Sequence, residues 1–289
     1  MRTIGLIFTF VVFLLFLTIL ALIGALFGLF FAPVWLFVAA GALVALSTFL
    51  GTRAPSICRL KLKAGLDKPV KIVQLSDLHI GSGFGKRWLA DVVQKTNALA
   101  PDVVLITGDL IDGVPATLMD ELMPLSQIKA PAYFVWGNHE YYYGLNKWRQ
   151  AFEKLGLKLL ENNAVLFSGL AIGGVGVPYA DAVGAPAPDL AQTFARVPVT
   201  ARRLLLSHYP EVFDKAIHHN IFLQLSGHTH GGQFFFPLSW PTKRANAGYL
   251  KGLYRKGNQF LYVSQGTGLW GGLPVRLGTY PEITLLELS

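Results

Sequence analysis

The chain has 289 residues, and its apolar and charged residues are unevenly distributed along it. Hydrophobic residues make up 52% of the chain and charged residues 15%, whereas typical soluble domains have about 45–50% and about 25%. Residues 3–52 contain no Lys, Arg, Asp, Glu or His. The apolar excess therefore lies at one end, which indicates a membrane segment rather than an unusually large core.

The net charge of +8 does not indicate a nucleic-acid-binding protein. Residues 1–63 contribute five basic and no acidic residues, and the rest of the chain has 20 basic and 17 acidic residues, a net charge of +3. A nucleic-acid interface needs a dense basic patch on the folded domain, so we expect no nucleic-acid partner. The single cysteine, Cys58, excludes an intramolecular disulfide.

The uncharged stretch is too long for one membrane span. It would measure about 75 Å as a single helix, against a hydrocarbon core of about 30 Å. We therefore predict two spans, at residues 4–30 and 34–50, with the break near Phe31-Ala32-Pro33, because proline is tolerated in the first turn of a helix but not in its interior. A cleaved signal peptide has an apolar region of only about 7–15 residues, and a soluble helical hairpin rarely lacks charges over such a length.

A hairpin of two spans places both of its ends on the same side of the membrane. Four basic residues follow it closely: Arg53, Arg59, Lys61 and Lys63. The excess of Lys and Arg in cytoplasmic segments predicts that this side is the cytoplasm. We therefore predict a two-span protein of the cell membrane with a transmembrane hairpin at residues 1–52, a basic juxtamembrane linker at 53–70 and a cytoplasmic folded domain at 71–289.

Strands and helices alternate from residue 71 onwards. Short apolar runs bounded by turn residues predict buried strands, and apolar positions three and four apart predict helices. The predicted strands lie at residues 71–75, 102–106, 132–136, 203–207, 221–226, 258–263 and 283–288. The predicted helices lie at residues 86–99, 116–125 and 210–218. This alternation is typical of a layered α/β domain.

Potential metal ligands follow the carboxyl ends of the predicted strands, where α/β sheets bind ligands. They form five blocks: Asp77-x-His79, Gly108-Asp109, Gly137-Asn138-His139-Glu140, Ser207-His208 and Gly227-His228-Thr229-His230. Each block alone also fits a turn or a helix cap. Because five of the seven histidines fall in these blocks, the combination predicts a metal site. For His218 and His219, at a predicted helix end, an exposed pair is the simpler interpretation.

The five ordered blocks resemble the calcineurin-like metallophosphoesterase family, over about residues 71–289. Further similarity to a branch of bacterial membrane-associated or exported phosphodiesterases lies in residues 227–233, Gly266-Thr267-Gly268, Val275-Arg276-Leu277 and Pro281-Glu282-Ile283. The chain departs from that branch at Gly174-Val175-Gly176-Val177, where relatives often have Gly-(Val/Thr)-Asp-Asp. The resemblance implies a four-layer α/β/β/α sandwich, in which two sheets face each other and helices flank them.

The resemblance also implies a pair of divalent metal ions and their ligands. The first ion would be held by Asp77, His79, Asp109 and His230, and the second by Asp109, Asn138, His208 and His228. Imidazoles with carboxylate or amide oxygens suit Mn²⁺, Fe²⁺ or Zn²⁺. Two catalytic roles are implied as well: His139 would protonate the leaving oxygen, and Asp77 would orient His139 through a hydrogen bond.

The implied activity is hydrolysis of a phosphomonoester, phosphodiester or pyrophosphate bond. The membrane segment suggests, by analogy, a lipid-linked phosphate-ester substrate. The alternative is a catalytically inactive membrane-anchored scaffold, which should have lost metal ligands that are all present here. Arg276 fits either a phosphate contact or a structural role. Phe234-Phe235-Phe236 fits core packing better than a lip that touches acyl chains.

Overall fold

The computed structural model describes residues 2–27, 33–270 and 272–289. The helices are α1 (Arg2–Leu26), α2 (Pro33–Thr52), α3 (Lys86–Ala98), α4 (Pro115–Leu122), α5 (Asn138–Tyr143), α6 (Leu145–Lys154), α7 (Leu190–Phe194), α8 (Phe213–Ala216) and α9 (Trp240–Ala245). The strands are β1 (Ser56–Leu62), β2 (Val70–Leu75), β3 (Val103–Thr107), β4 (Ala132–Val135), β5 (Leu157–Leu159), β6 (Asn163–Phe167), β7 (Leu170–Gly174), β8 (Arg202–Leu206), β9 (Ile221–Ser226), β10 (Gly252–Lys256), β11 (Gln259–Val263) and β12 (Glu282–Leu288).

Within the described residues the strands form two six-stranded sheets, with orders β1-β12-β2-β3-β4-β5 and β10-β11-β9-β8-β7-β6. The strands from β2 to β5 are parallel to one another, as are β7, β8, β9 and β11. Central parallel strands are covered on both faces, which is why β3 is apolar at nearly every position and buried along its whole length. The parallel arrangement brings the carboxyl ends of neighbouring strands to one edge of each sheet.

Three apolar clusters hold the layers together. The inner faces of the two sheets meet through side chains such as Leu105 and Leu204. Leu89 of α3 and Phe152 of α6 pack on the outer face of the first sheet, and Phe213 of α8 packs on the outer face of the second. The predicted α/β/β/α sandwich is therefore confirmed.

The predicted linker at residues 53–70 is wrong in its central part, because it contains β1. This strand pairs in parallel with β12, with Ser56 opposite Glu282 and Leu62 opposite Leu288. Burial alternates along β1, so that Leu60 reaches the core between the sheets while its neighbours Arg59 and Lys61 are exposed. A period-two pattern was present in the sequence, but the basic residues on its outer face suggested a juxtamembrane linker.

The two N-terminal helices pack against each other. Their apolar windows, Thr9–Leu26 and Val34–Thr52, have mean hydropathies of 2.8 and 2.1 and are long and apolar enough to cross a membrane. The helix α2 begins at Pro33, as expected for a proline in a first turn. The end of the first predicted span and the Phe31-Ala32 part of the predicted break lie outside the described residues.

The helix pair packs directly on the domain that follows it. In the segment 273–277, Leu273 and Val275 are buried in one apolar cluster with Val12 and Phe16 of α1. These four side chains belong to elements more than 250 residues apart in the chain. The hairpin and the domain therefore share a small core of their own.

The backbone of the same segment lies against α2. The Arg276 N–H donates a hydrogen bond to the Ser47 carbonyl at 2.8 Å. A Cβ at Gly51 would lie 2.7 Å from the Pro274 carbonyl oxygen, which is closer than such contacts allow. Glycine at position 51 therefore lets the segment 273–277 approach the helix.

Alanine at position 51 should weaken this contact. We expect Gly51→Ala to destabilise the protein by about 1–3 kcal/mol, because backbone atoms must move to accept the methyl group. The matched control is Gly41→Ala in the same helix, where an added Cβ meets nothing within 4 Å and alanine is the better helix former. Thermal unfolding in detergent micelles measures both, and equal melting temperatures for the two variants would contradict the proposed close approach.

Candidate metal centre

The predicted ligands converge where the carboxyl ends of the two sheets meet. Asp77 and His79 follow β2, Asp109 follows β3, Asn138 begins α5 after β4, His208 follows β8, and His228 and His230 follow β9. Five of these described residues have positive φ, between 46° and 70°: Asp77, His79, Asp109, His228 and His230. Non-glycine residues in this region are strained, and such strain concentrates at functional sites.

The first cluster joins Asp77, His79 and His230, all of them buried. The Nε2 atoms of His79 and His230 lie 3.1 Å apart. The Nε2 of His230 lies 3.4 Å from Asp77 Oδ1. Their ligand atoms all fall within 4.8 Å of one another, so the three side chains can share one ion.

The second cluster joins Asp109, His208 and His228. His208 Nε2 lies 3.2 Å from Asp109 Oδ2 and 3.2 Å from Asn138 Oδ1. The same Asp109 Oδ2 lies 3.6 Å from His79 Nε2 in the first cluster. A single carboxylate oxygen thus faces both clusters, and the structure brings all seven predicted ligands together.

The chemistry of the donor atoms fits metal ions. The Nδ1–H of His208 donates to the Thr107 carbonyl at 2.6 Å, and His79 Nδ1 lies 3.0 Å from Asp112 Oδ1. An outer partner of this kind holds the proton on Nδ1 and leaves the Nε2 lone pair directed at the centre. A cation bound between such nitrogens and the carboxylates is coordinated by the lone pairs of both.

The electrostatics of the site also favour the binding of metal ions. Burial alone would raise the pKa of Asp109, but His208, His139 and His79 hold it well below its usual value. Burial lowers the pKa of His208, yet the charge and hydrogen bond of Asp109, together with Asp77 and the Thr107 carbonyl, raise it to about 10. Protonated imidazole therefore balances the buried carboxylates in the absence of metal, and divalent ions can replace that charge.

Asp112 is a site residue that the sequence reasoning missed. Its buried Oδ1 contacts both His79 Nδ1 and His139 Nδ1. The prediction that Asp77 orients His139 is therefore corrected, because Asp112 holds that ring. Asp77 instead accepts a hydrogen bond from the His228 N–H at 3.0 Å. The only sequence signal for Asp112 was a second acidic residue three positions after Asp109.

Glu140 links the loops that carry the ligands. Its buried carboxylate accepts hydrogen bonds from the N–H groups of Gly137 at 2.7 Å, Leu110 at 2.7 Å and Asp109 at 3.1 Å. Burial and the nearby Asp109 carboxylate raise the pKa of Glu140 to about 7. The fourth residue of the Gly-Asn-His-Glu block thus fixes the backbone of Asp109.

The structure favours a structural role for Arg276 over a phosphate contact. The buried guanidinium donates to the carbonyls of Gln265 at 2.6 Å and Gly268 at 2.8 Å. Its Nη2 also lies 3.3 Å from His230 Nδ1. Arg276 therefore ties the C-terminal loops to the imidazole of His230.

Comparisons with known proteins agree with this geometry. The family model described as calcineurin-like phosphoesterase matches residues 70–232. An uncharacterized metallophosphoesterase of Helicobacter pylori (strain J99) is 37% identical, with 77% of this chain and 60% of that protein covered. An uncharacterized metallophosphoesterase of Bacillus subtilis is 33% identical, with 76% and 79% covered. A Bos taurus protein named transmembrane protein with metallophosphoesterase domain is 35% identical, with 76% and 53% covered.

Two facing sheets with His and Asp clusters at their strand ends define a metal-binding α/β/β/α domain. The family match extends over more than half of the chain, and the Bacillus subtilis relative is matched over most of both chains. The chain belongs to the calcineurin-like phosphoesterase family, which confirms the resemblance carried by the five blocks. It spans 60% of the length of the two Helicobacter pylori relatives.

Removing Asp112 should weaken metal binding without removing a ligand. We expect Asp112→Ala to lower metal affinity about 10–100-fold, because His79 loses the partner that orients its ring. The control is Asp120→Ala, at an exposed position of α4. Metal titration of the apo-protein gives both affinities, with circular dichroism as a check of folding. Equal affinities in the two variants would show that Asp112 does not support the site.

Proposed function

We propose that this chain is a membrane-anchored phosphoesterase that uses two divalent metal ions to hydrolyse a phosphomonoester, phosphodiester or pyrophosphate bond. The observation that carries the proposal is the position of Asp109 Oδ2, 3.6 Å from His79 Nε2 and 3.2 Å from His208 Nε2. A carboxylate between two ligand clusters suits a bridged pair of ions. When bound, such a pair would supply Lewis acidity to the phosphoryl group and lower the pKa of a water for in-line attack.

The protein ligands would divide into two sets that share Asp109. The first set is Asp77, His79, Asp109 and His230, and the second is Asp109, Asn138, His208 and His228. These sets combine imidazole nitrogens with carboxylate or amide oxygens, which suits Mn²⁺, Fe²⁺ or Zn²⁺. The contacts of His79 Nδ1 with Asp112 and of His208 Nδ1 with the Thr107 carbonyl keep both rings oriented. Little reorganisation is therefore needed when metal binds.

His139 would protonate the leaving oxygen. Its side chain is 15% exposed, whereas those of His79 and His208 are fully buried, so it can reach a bound substrate. Asp112 holds its Nδ1 and leaves Nε2 free to donate, 3.9 Å from Asp109 Oδ2. A positioned imidazole of this kind is a typical general acid.

A catalytically inactive scaffold is the rival function. Such a protein would keep the fold and lose ligands or the acid, since binding alone does not require them. Here seven ligands and His139 are present, and five of those eight described residues have strained backbone. Strain at a site that has no chemical role has no evident benefit, which favours the enzyme.

The hairpin would anchor the catalytic domain on the cytoplasmic side of the cell membrane. Two apolar helices of sufficient length and the basic residues between Arg53 and Lys63 support this topology. A domain held at the bilayer meets lipid-linked phosphate esters at a raised effective concentration. Such substrates are therefore the class that we expect.

The bridging role predicts that Asp109→Asn loses metal and activity together. We expect hydrolysis to fall by more than the about 10–100-fold that is usual for a residue which only orients a ligand. The control is Asp91→Asn, on the exposed face of α3. Elemental analysis of the purified variants gives ions per chain, and phosphate release from a panel of esters gives activity. Full metal content with wild-type activity in Asp109→Asn would remove Asp109 from the site.

The acid role predicts that the effect of His139→Ala depends on the leaving group. We expect both metals to remain and hydrolysis of alkyl esters to slow about 10²–10⁴-fold. The loss should be much smaller for p-nitrophenyl esters, because p-nitrophenolate leaves without a proton. The exposed His218 supplies the control, His218→Ala. An equal loss with both leaving groups would exclude the acid role.

The topology is tested with a reporter fused after Ser289. With two spans and a cytoplasmic domain, an alkaline phosphatase reporter that is active only outside the cytoplasm should remain inactive, and a green fluorescent protein fusion should fluoresce. The second fusion controls for expression. Strong alkaline phosphatase activity would place the domain outside the cytoplasm and reverse the proposed orientation.

A further inference from the structure

Four exposed aromatic side chains lie in the two segments of the domain that include Phe234 and Leu273, which pack on the hairpin. These four residues, which we call the aromatic rim, are Phe235, Phe236, Trp240 and Trp270. Their exposed fractions are 49%, 72%, 48% and 50% respectively. Large apolar side chains that are exposed together mark a surface with a partner.

The rim is continuous with the face of the domain that packs on α1. Phe234, directly before the rim, packs edge-to-face on Phe16 with 6.3 Å between ring centroids. Trp270 pairs with Leu273, whose side chain lies in the same cluster as Phe16. Phe234 is thus the packed residue of the Phe-Phe-Phe run, and the next two are exposed.

The position of Phe16 along α1 sets the depth of this contact. Phe16 lies seven residues inside the most apolar window of α1, which begins at Thr9, and the uncharged stretch itself begins at residue 3. At 1.5 Å per residue, Phe16 is therefore at least about 10 Å from the end of the apolar part of the helix. If the hairpin spans a bilayer whose hydrocarbon core is about 30 Å thick, Phe234 lies at the depth of the hydrocarbon, and the exposed Phe235 and Phe236 follow it directly in the chain.

The basic residues beside the rim fit a membrane interface. The Arg244 guanidinium lies 5.3 Å from the centroid of the Trp240 ring, and Lys243 precedes it in the last turn of α9. Tryptophan favours the headgroup region, and Lys and Arg bind anionic headgroups there. The rim therefore combines apolar side chains with cations, as expected at the surface of a bilayer.

We propose that the aromatic rim inserts into the lipid bilayer beside the hairpin and holds the metal centre against the membrane surface. The ring centroids of Trp270 and His230 are 6.4 Å apart, so the inserted surface adjoins a predicted metal ligand. This inference rests on the proposed membrane anchoring. It goes further in assigning a second, monotopic contact to the catalytic domain itself.

A cavity at the same junction is consistent with this orientation. It has a volume of about 820 Å³ and is lined by Thr9 and Thr52 of the hairpin and by Leu118, Leu269 and Pro274 of the domain. Leu269 adjoins Trp270 of the rim. The cavity therefore lies between the hairpin and the domain, beside the segment that carries Trp270, where the apolar part of a lipid can enter.

Site-directed spin labelling tests the insertion in the full-length protein. The single native cysteine is replaced by Cys58→Ser, and one nitroxide is attached at Phe236→Cys. The protein is reconstituted in vesicles of phosphatidylcholine with phosphatidylglycerol. Collision rates with molecular oxygen and with a water-soluble nickel chelate are then measured by electron paramagnetic resonance, because oxygen partitions into hydrocarbon and the chelate remains in water.

Two further labels make the result decisive. Val199→Cys marks a residue that is 82% exposed far from the rim in the chain, and Leu22→Cys marks the exposed surface of α1. We expect the oxygen-to-nickel ratio at position 236 to exceed that at 199 clearly and to approach that at 22, which lies deeper in the bilayer. Trp240→Cys repeats the test if Phe236→Cys does not fold.

The other outcomes separate this inference from the proposed anchoring. If the label at 22 is in hydrocarbon and the label at 236 collides with nickel as freely as the label at 199, the hairpin is embedded and the rim is not. Exclusion of both reagents at 236 would mean that protein covers the rim, which also overturns the proposal. If the nickel chelate collides freely with the label at position 22, the hairpin does not lie in the membrane, and the proposed insertion of the rim is then wrong as well.

Discussion

Two buried carboxylates, Asp77 and Asp109, are the constraint around which the rest of the domain is arranged. Their exposed fractions are 0% and 2%, and an ionised carboxylate in such a place is very costly unless positive charge or hydrogen bonds replace its water. Imidazoles and backbone N–H groups surround both. The strained backbone at Asp77 and Asp109 costs about 1–3 kcal/mol at each residue, and the packed sheets hold these two turns in place.

The layered α/β domain and the ligand blocks could be predicted from the sequence because both are local patterns, whereas the four-layer sandwich was implied by the resemblance to the family. A buried parallel strand is a short apolar run, and a ligand at its end is the next polar residue. β1 was missed because Arg59 and Lys61 occupy the exposed positions of its alternating pattern. Asp112 was missed for a different reason: its partners His79 and His139 lie 33 and 27 residues away, so no local pattern reports that it contacts both rings.

The hairpin and the metal centre are coupled through one residue. The backbone of Arg276 is bonded to Ser47 of α2, and its buried guanidinium lies 3.3 Å from His230 Nδ1. The hairpin therefore also supports the loop that positions a predicted ligand. This arrangement also explains why a segment so close to the metal centre is apolar at Leu273 and Val275: those side chains complete the core shared with the hairpin.

The central claim of the proposed function is that Asp109 would join two metal ions in one centre. Electron paramagnetic resonance of the apo-protein reconstituted with Mn²⁺ tests it most directly, because two ions that share a carboxylate are magnetically coupled. We predict two Mn²⁺ ions per chain and the spectrum of an exchange-coupled pair. Two ions per chain with the six-line spectrum of isolated Mn²⁺, or tight binding of only one ion, would contradict the account.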